Sequence, residues 1–296
     1  MLILYWSKQR NKFNYGDELS LFIVSKLARE EVVSLWPYSN NSKNLLRRCV
    51  SFLRLLYING VEITTLNLVR SRMVHVVGLG SIINRATSRS LVWGSGIIAA
   101  DDKINPNIEA FVVRGPLTLE RINRMGIKNQ GAMGDPALLL PNIIPDHNLK
   151  SCEIGVIPHV NDYELVAKNY QMPEGVSLID LSDKNLEAVT AKICSCKKII
   201  SSSLHGIIVA NAYGIPTIRA EFTNYLSGDG TKFLDYMLSV GATRQEAERN
   251  YNIRTQSELN GILKETAYFI PAEGIIEKRK SDLISNAPFE IRKEYV

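Results

Sequence analysis

The sequence predicts an α/β protein built from two doubly wound units whose strand ends face each other across a cleft. Three observations lead there. Short apolar runs alternate with helical patterns along the chain, glycine-bearing turns close several of those runs, and a proline-broken polar stretch at 141–151 separates two such series. The 296 residues are enough for two units. Their expected bounds are 1–145 and 150–275, with the charged segment 276–296 a tail or a helix returning to the first unit.

In the first unit, strands are expected at 2–6, 73–77, 91–93 and 111–113. The last three run into Gly78-Leu79-Gly80-Ser81, Gly94-Ser95-Gly96 and Arg114-Gly115-Pro116. Glycines at the carboxyl ends of parallel strands let the backbone approach a ligand, and ligands of open α/β sheets bind there. In the second unit, strands are expected at 154–158, 176–181, 198–201 and 215–220, with helices at 184–196, 205–213, 232–240 and 257–267. The stretch 47–60 carries Arg47, Arg48 and Arg54 among leucines. It reads as a buried helix with snorkelling arginines or as a basic element resting on a membrane surface.

Composition narrows the function classes. The chain is 45% hydrophobic and 22% charged, with a formal net charge of +5. That mild basicity suits anionic small molecules or a membrane surface and falls short of a nucleic-acid-binding signature. Cys194 and Cys196 are too close in sequence for an ordinary disulfide. With Cys49 and Cys152 they form neither a disulfide framework nor a zinc set, which fits a reducing compartment. No signal-peptide pattern opens the sequence and no apolar run is long enough to span a bilayer. The expected location is the cytoplasm, with the inner face of the membrane open; nothing sets an oligomeric state.

The most informative stretch is 199–216, a strand, a serine-rich turn, a helix and a glycine stop. The turn brings Ser201, Ser202, Ser203 and His205 to a helix start, where unpaired N–H groups and the helix dipole favour an anion. Ser202 or Ser203 fits the N-cap, leaving other hydroxyls to donate outward. Gly206, Ala210 and Gly214 are spaced to bring the helix close to its sheet. His205 is the neighbouring side chain able to titrate near neutrality. Arg114 leaves a strand end, where its fork can bind phosphate or carboxylate or pair with a local acid such as Asp135. Asp135 itself reads as a cap for the helix after it. Asn14 and Gly16 precede an amphipathic helix for which Asp17 is read as N-cap or base. His159 ends a strand and faces the crevice, and Lys232 follows a glycine-rich loop; His75 reads as structural. The glycine pattern at 78–81 lacks the third glycine of a dinucleotide fingerprint.

Taken in order, Asn14-Tyr15-Gly16-Asp17, Gly78-Leu79-Gly80-Ser81, Trp93-Gly94-Ser95-Gly96, Val113-Arg114-Gly115-Pro116, Gly134-Asp135-Pro136-Ala137 and Ser202-Ser203-Leu204-His205-Gly206 resemble the polysaccharide pyruvyl transferase family, with its exopolysaccharide branch nearest. The resemblance implies a GT-B-like pair of Rossmann-like domains, the first on the acceptor side and contributing Arg114, the second binding the donor. It implies transfer of pyruvate from phosphoenolpyruvate, a co-substrate rather than a cofactor, to a sugar of an exopolysaccharide, capsule or cell-wall glycan precursor. A cyclic ketal forms and phosphate is released; no metal is required. The acceptor would be a saccharide or a lipid-linked oligosaccharide. Arg114, Leu204 and His205 match donor-site positions, while Ser203 stands where some relatives carry arginine. Asn14, Gly16, Gly80, Ser95, Ser202, Ser203 and Lys232 complete the expected binding set, and His205, Asp17 and His159 the expected catalytic set. A GT-B glycosyltransferase using a nucleotide sugar, with Glu221 on the ribose, and a non-catalytic carbohydrate-binding protein stay open beside this reading.

Overall fold

A computed structural model describes residues 2–5, 13–34, 73–146, 150–224 and 227–295. The 47–60 element, Trp6, Cys49 and His147 lie outside the described residues.

Two parallel sheets organise the chain. The first contains β1 (Leu2–Tyr5), β2 (Val32–Ser34), β3 (His75–Val77), β4 (Ser90–Trp93), β5 (Glu109–Val113) and β6 (Asn129–Met133), in the order β2-β1-β3-β4-β5-β6. The second contains β7 (Cys152–Ile157), β8 (Val176–Leu178), β9 (Cys196–Ser201), β10 (Thr217–Glu221) and β11 (Tyr251–Asn252), in the order β11-β10-β9-β7-β8. Counted from its own first strand, each sheet follows the order 2-1-3-4-5, and the first adds a sixth strand. The strand order therefore reverses between β1 and β3 and again between β7 and β9. Those reversals are where open parallel sheets form ligand crevices.

The helices are α1 (Tyr15–Leu27), α2 (Pro116–Arg124), α3 (Leu140–Ile143), α4 (Tyr163–Asn169), α5 (Leu186–Cys194), α6 (Leu204–Ala212), α7 (Thr231–Ser239), α8 (Arg244–Glu248), α9 (Gln256–Ile262) and α10 (Ile275–Ser285). Alternate strand residues point to opposite faces. Leu4, Val76 and Val112 pack in one cluster with α1, whereas Ile3, Val77 and Val113 pack in another with Ile122 of α2. In the second sheet, Ile157 and Ile199 pack with Val189 of α5 and Ile207 of α6. Val156, Ile200 and Ile218 pack with Val166 of α4 and Leu259 of α9. Burial on both faces explains the short apolar stretches within these strands, such as Val156-Ile157, Ile199-Ile200 and Val112-Val113.

One apolar cluster joins residues of both sheets, including Leu4, Trp93 and Leu138 with Ile157, Leu204 and Tyr236. Tyr15 ties the halves further: its N–H donates to the Leu181 carbonyl at 2.8 Å, and its hydroxyl meets Thr190 Oγ1 at 2.7 Å. After the second sheet, α10 packs on the first. The Trp93 indole donates to the Leu283 carbonyl at 3.0 Å, and Gly134 leaves room for the Leu283 side chain. Farther on, Arg292 N donates to the Leu27 carbonyl at 2.8 Å.

The expected strands and helices form, with bounds moved by a few residues, and three further strands appear. β2, β6 and β11 lie at sheet edges, and β6 reads Asn-Gln-Gly-Ala-Met with an exposed centre. An edge strand half open to water carries no apolar run to betray it. Cys152, Cys194 and Cys196 are buried free thiols.

Candidate functional site

The site gathers at the carboxyl ends of the strands flanking both reversals. From the first sheet come the start of α1 and the turn after β3; from the second come His159 after β7 and the turn from Ser201 to His205 after β9.

Ser203 is the N-cap of α6, its Oγ accepting from Gly206 N at 3.5 Å. Ser202 Oγ accepts the main-chain N–H of His159 at 2.8 Å. Ser201 Oγ donates to the Ile157 carbonyl at 2.9 Å and accepts from Ser203 N at 3.0 Å. Ser201 spends its O–H on the Ile157 carbonyl, whereas Ser202 and Ser203 accept main-chain N–H groups, which fixes the helix start and holds His159 beside it while leaving their own O–H groups able to donate. Gly206 allows the close approach its spacing suggested, since a Cβ there would lie 2.5 Å from Ser201 Oγ. Gly214 has open space around it and φ of 69°, so it ends the helix rather than packing it. Leu204, the first residue of α6, is buried in the shared core.

His205 faces α1 directly. A Cβ at Gly16 would lie 2.0 Å from His205 Nδ1, so only glycine permits this contact. The Nε2 atom is shut off from water and has no partner. Burial, then the charges of Arg114, Lys232 and His159, lower the imidazole from 6.5 to about 3, so the ring is neutral at physiological pH. His159 is thus an electrostatic neighbour of His205; its own Nδ1 accepts from Asn161 N at 3.2 Å.

Asp17 is not the cap of α1. The helix starts at Tyr15, so the cap is Asn14, whose Oδ1 accepts from Gly16 N at 3.1 Å while its Nδ2 donates to Asp17 Oδ2 at 3.1 Å. Asp17 sits one turn in, where burial and then the Glu18 charge raise it from 3.8 to about 7, with Arg85 and Lys232 pulling the other way.

Arg114 is fully buried and its partner is Asp235 of α7, not Asp135. Nη2 donates to Asp235 Oδ2 at 2.9 Å and to the Ile97 carbonyl at 2.6 Å; Nη1 donates to Ser81 Oγ at 2.6 Å. Its Nε has no partner. Asp135 instead accepts from Ala137 N at 3.0 Å as the cap of the following turn, and burial raises its carboxyl to about 7. Gly80 and Ser95 support this region from behind. Gly80 holds φ of 115°, and its carbonyl accepts from Ser95 Oγ at 2.8 Å. Ser95 is fully buried, which makes it a brace for the turn carrying Ser81.

Lys232, in the first turn of α7, donates to the Ser227 carbonyl at 3.0 Å and lies 5.5 Å from the Phe233 ring. Burial, then Arg114 and Arg219, lower it from 10.5 to about 8, while Asp17 and Glu221 act in the opposite direction. Glu221 itself accepts from Arg219 Nη2 at 2.8 Å. His75 is structural, its ring nitrogens meeting the Met73 carbonyl and Ser90 Oγ, each at 2.8 Å.

The sequence reading missed Asp235, Arg219, Arg85 and the role of Ser81. A signal existed for Asp235, an acid set between Phe233, Tyr236 and Met237 on a helix. A buried carboxylate of that kind needs a partner elsewhere in the chain. Among the described residues no group of three or more His, Cys, Asp or Glu side chains is placed to hold a metal ion, and no helix is long and apolar enough to cross a membrane.

Fold and site together define an α/β protein with two parallel sheets and a cation-rich, histidine-bearing site at their strand ends. The chain belongs to the polysaccharide pyruvyl transferase family, whose profile matches residues 14–220. That membership supports pyruvyltransferase activity in general. Over 228 residues the chain is 30% identical to uncharacterized protein L143 of Acanthamoeba polyphaga mimivirus, covering 74% of this chain and 78% of that protein. Over 205 residues it is 24% identical to the succinoglycan biosynthesis protein ExoV of Rhizobium meliloti (strain 1021), covering 63% of this chain and 60% of that one. Lys232 and Asp235 lie beyond the residues the family profile matches.

Proposed function

We propose that this chain transfers the pyruvyl group of phosphoenolpyruvate to two hydroxyls of a saccharide, free or lipid-linked, forming a cyclic ketal and releasing phosphate. The observation that carries this is a neutral histidine with an unpartnered, buried Nε2 at a helix start, with the charges of Arg114 and Lys232 acting on it. Phosphoenolpyruvate brings a phosphate and a carboxylate, and the site offers cations and a helix start for both. Lys232 then supplies the positive charge that Ser203 does not. In this reading 1–145 and 150–275 are two domains, and the donor lies in the crevice between them.

The chemistry requires one proton to enter at C3 of the donor, building positive charge at C2. A sugar hydroxyl adds to C2 and loses its proton, the C2–O bond to phosphate breaks, and the second hydroxyl closes the ketal. Two hydroxyl protons leave; one replaces the proton taken by C3 and the other departs with hydrogen phosphate. His205, neutral and a weak base at about 3 in the free protein, takes a proton from a hydroxyl only once a bound anion raises its imidazole. Asp17, with its carboxyl near 7, holds a proton in about half the molecules at neutral pH and is suited to give one to C3. Donor binding neutralises the nearby cations, which raises His205 and lets it join the relay.

The test is incubation with phosphoenolpyruvate and candidate oligosaccharides, following phosphate and acceptor mass. Phosphate release matched by one ketal-linked pyruvate per acceptor is expected, and His205→Ala should abolish both while leaving the fold intact. Neither product from the wild-type protein would end this reading. Selective stabilisation by a uridine nucleotide would point to a glycosyltransferase instead.

A further inference from the structure

We propose that Asp235 is a positioning residue that locks Arg114 and the helix bearing Lys232 into one unit, so that the anion site stands preassembled across both sheets. This rests on the donor-site reading above only for the identity of the anion.

Asp235 belongs to the second half of the chain, yet among the described residues its carboxylate bonds partners in the first. Oδ1 accepts from Leu117 N at 2.9 Å and Thr118 N at 3.0 Å; Oδ2 accepts from Thr118 Oγ1 at 2.7 Å and Arg114 Nη2 at 2.9 Å. The residue is fully buried. The N-cap position of α2 is Gly115, which has no side chain to offer. A Cβ there would lie 2.0 Å from the Asp235 carbonyl oxygen, so glycine admits α7 and Asp235 serves as the cap from outside the helix. A carboxylate at a helix start is favoured by the dipole, and here it also neutralises a buried arginine.

The consequence reaches the site through two routes. Arg114 is held by Asp235, Ser81 and Ile97, which leaves Nε as its unpartnered nitrogen. Lys232 lies three residues before Asp235 on α7, on nearly the same side of the helix. Fixing Asp235 on α2 therefore fixes the register of Lys232 against Arg114. The far end of α7 is held separately, by Arg279 Nε donating to the Ser239 carbonyl at 2.8 Å. Arg279 gives a control that loosens the same helix without touching Arg114.

The experiment compares Asp235→Asn and Arg279→Gln with the wild-type protein, well below each melting temperature. Binding of phosphoenolpyruvate and, separately, inorganic phosphate is measured by calorimetry, and amide exchange is followed across 114–124 and 231–239. Asp235→Asn should weaken anion binding at least tenfold and raise exchange in both segments together. Arg279→Gln should lower the melting temperature with affinity unchanged within twofold. Wild-type affinity in Asp235→Asn, or faster exchange in one segment alone, would overturn the proposal. If the wild-type protein binds neither anion, the donor reading falls, and joint or separate exchange in the two segments still decides the role of Asp235.

Discussion

Replacing Gly16 with alanine puts the contact between α1 and His205 to a direct test. The added methyl would stand 2.0 Å from Nδ1, 2.6 Å from Cγ and 2.9 Å from Cβ of His205. Ordinary contacts between such atoms are about 3.5–4.0 Å, so helix and ring must separate by about 1 Å or more. Gly16 is helical without a left-handed backbone, so alanine adds no backbone strain and gains about 1 kcal/mol of helix propensity. Overpacking costs about 1–3 kcal/mol. The net change in stability is then a loss of at most about 2 kcal/mol, a fall in Tm of only a few degrees for a chain of this size. Activity should suffer far more, because misplacing a reacting group by about 1 Å costs on the order of 100-fold. The assay is phosphate release from phosphoenolpyruvate with acceptor, beside a thermal melt on the same sample. A folded Gly16→Ala protein with wild-type kcat/KM would show that His205 does not work from the position it occupies against α1.

Two further outcomes follow from the charges. Lys232→Met should raise KM for phosphoenolpyruvate at least tenfold. In the wild-type protein donor affinity should fall as pH rises through about 8, where Lys232 loses its proton, whereas Lys232→Arg should move that fall out of range; identical pH profiles for the two proteins would remove Lys232 from the anion site. Asp17 is raised in the fold, so its contribution to stability is complete below its unfolded value of 3.8 and is lost as pH rises through about 7. The shift sets an order-of-magnitude ceiling of about 4 kcal/mol on this contribution. Asp17→Asn should therefore melt progressively higher than wild type between pH 5 and pH 8 while losing turnover. A constant difference in Tm across that range would contradict the raised carboxyl.

The parts of the fold legible in the sequence are those whose signal is local. β7 and β9 end in buried apolar stretches that give them away; the turn before α6 shows because serines and glycine must sit at fixed offsets from a helix start. β6 and β11 are short edge strands without an apolar run, so nothing local marks them, whereas β2 carries Val32 and Val33 and was missed all the same. The cap of α1 shows the same limit at smaller scale. Asn14 and Asp17 are both good capping residues, and only the observed helix start decides between them. The Ser202 hydroxyl also accepts the N–H of His159, 43 residues away, a tie that no local pattern reveals.

Asp235 marks where local reading fails and why the site is more than a helix start. Arg114, His205 and Lys232 were each visible as candidates, but the sequence could not say which acid would permit their convergence. Fully buried Arg114 without a carboxylate would carry an uncompensated charge, a state that costs several kcal/mol. With Asp235 the arginine is tolerated, and its guanidinium still acts on Lys232 and His205. Lys232 is pushed down by Arg114 and Arg219, and His205 by Arg114, Lys232 and His159. An arginine at position 203 would add another cation to this group, at the α6 start. The present chain has a serine cap there and draws a cation from α7, the helix that Asp235 anchors. In the proposed reading, neutral Ser203 and charged Lys232 belong to one arrangement, with the cation supplied by the helix tied directly to Arg114.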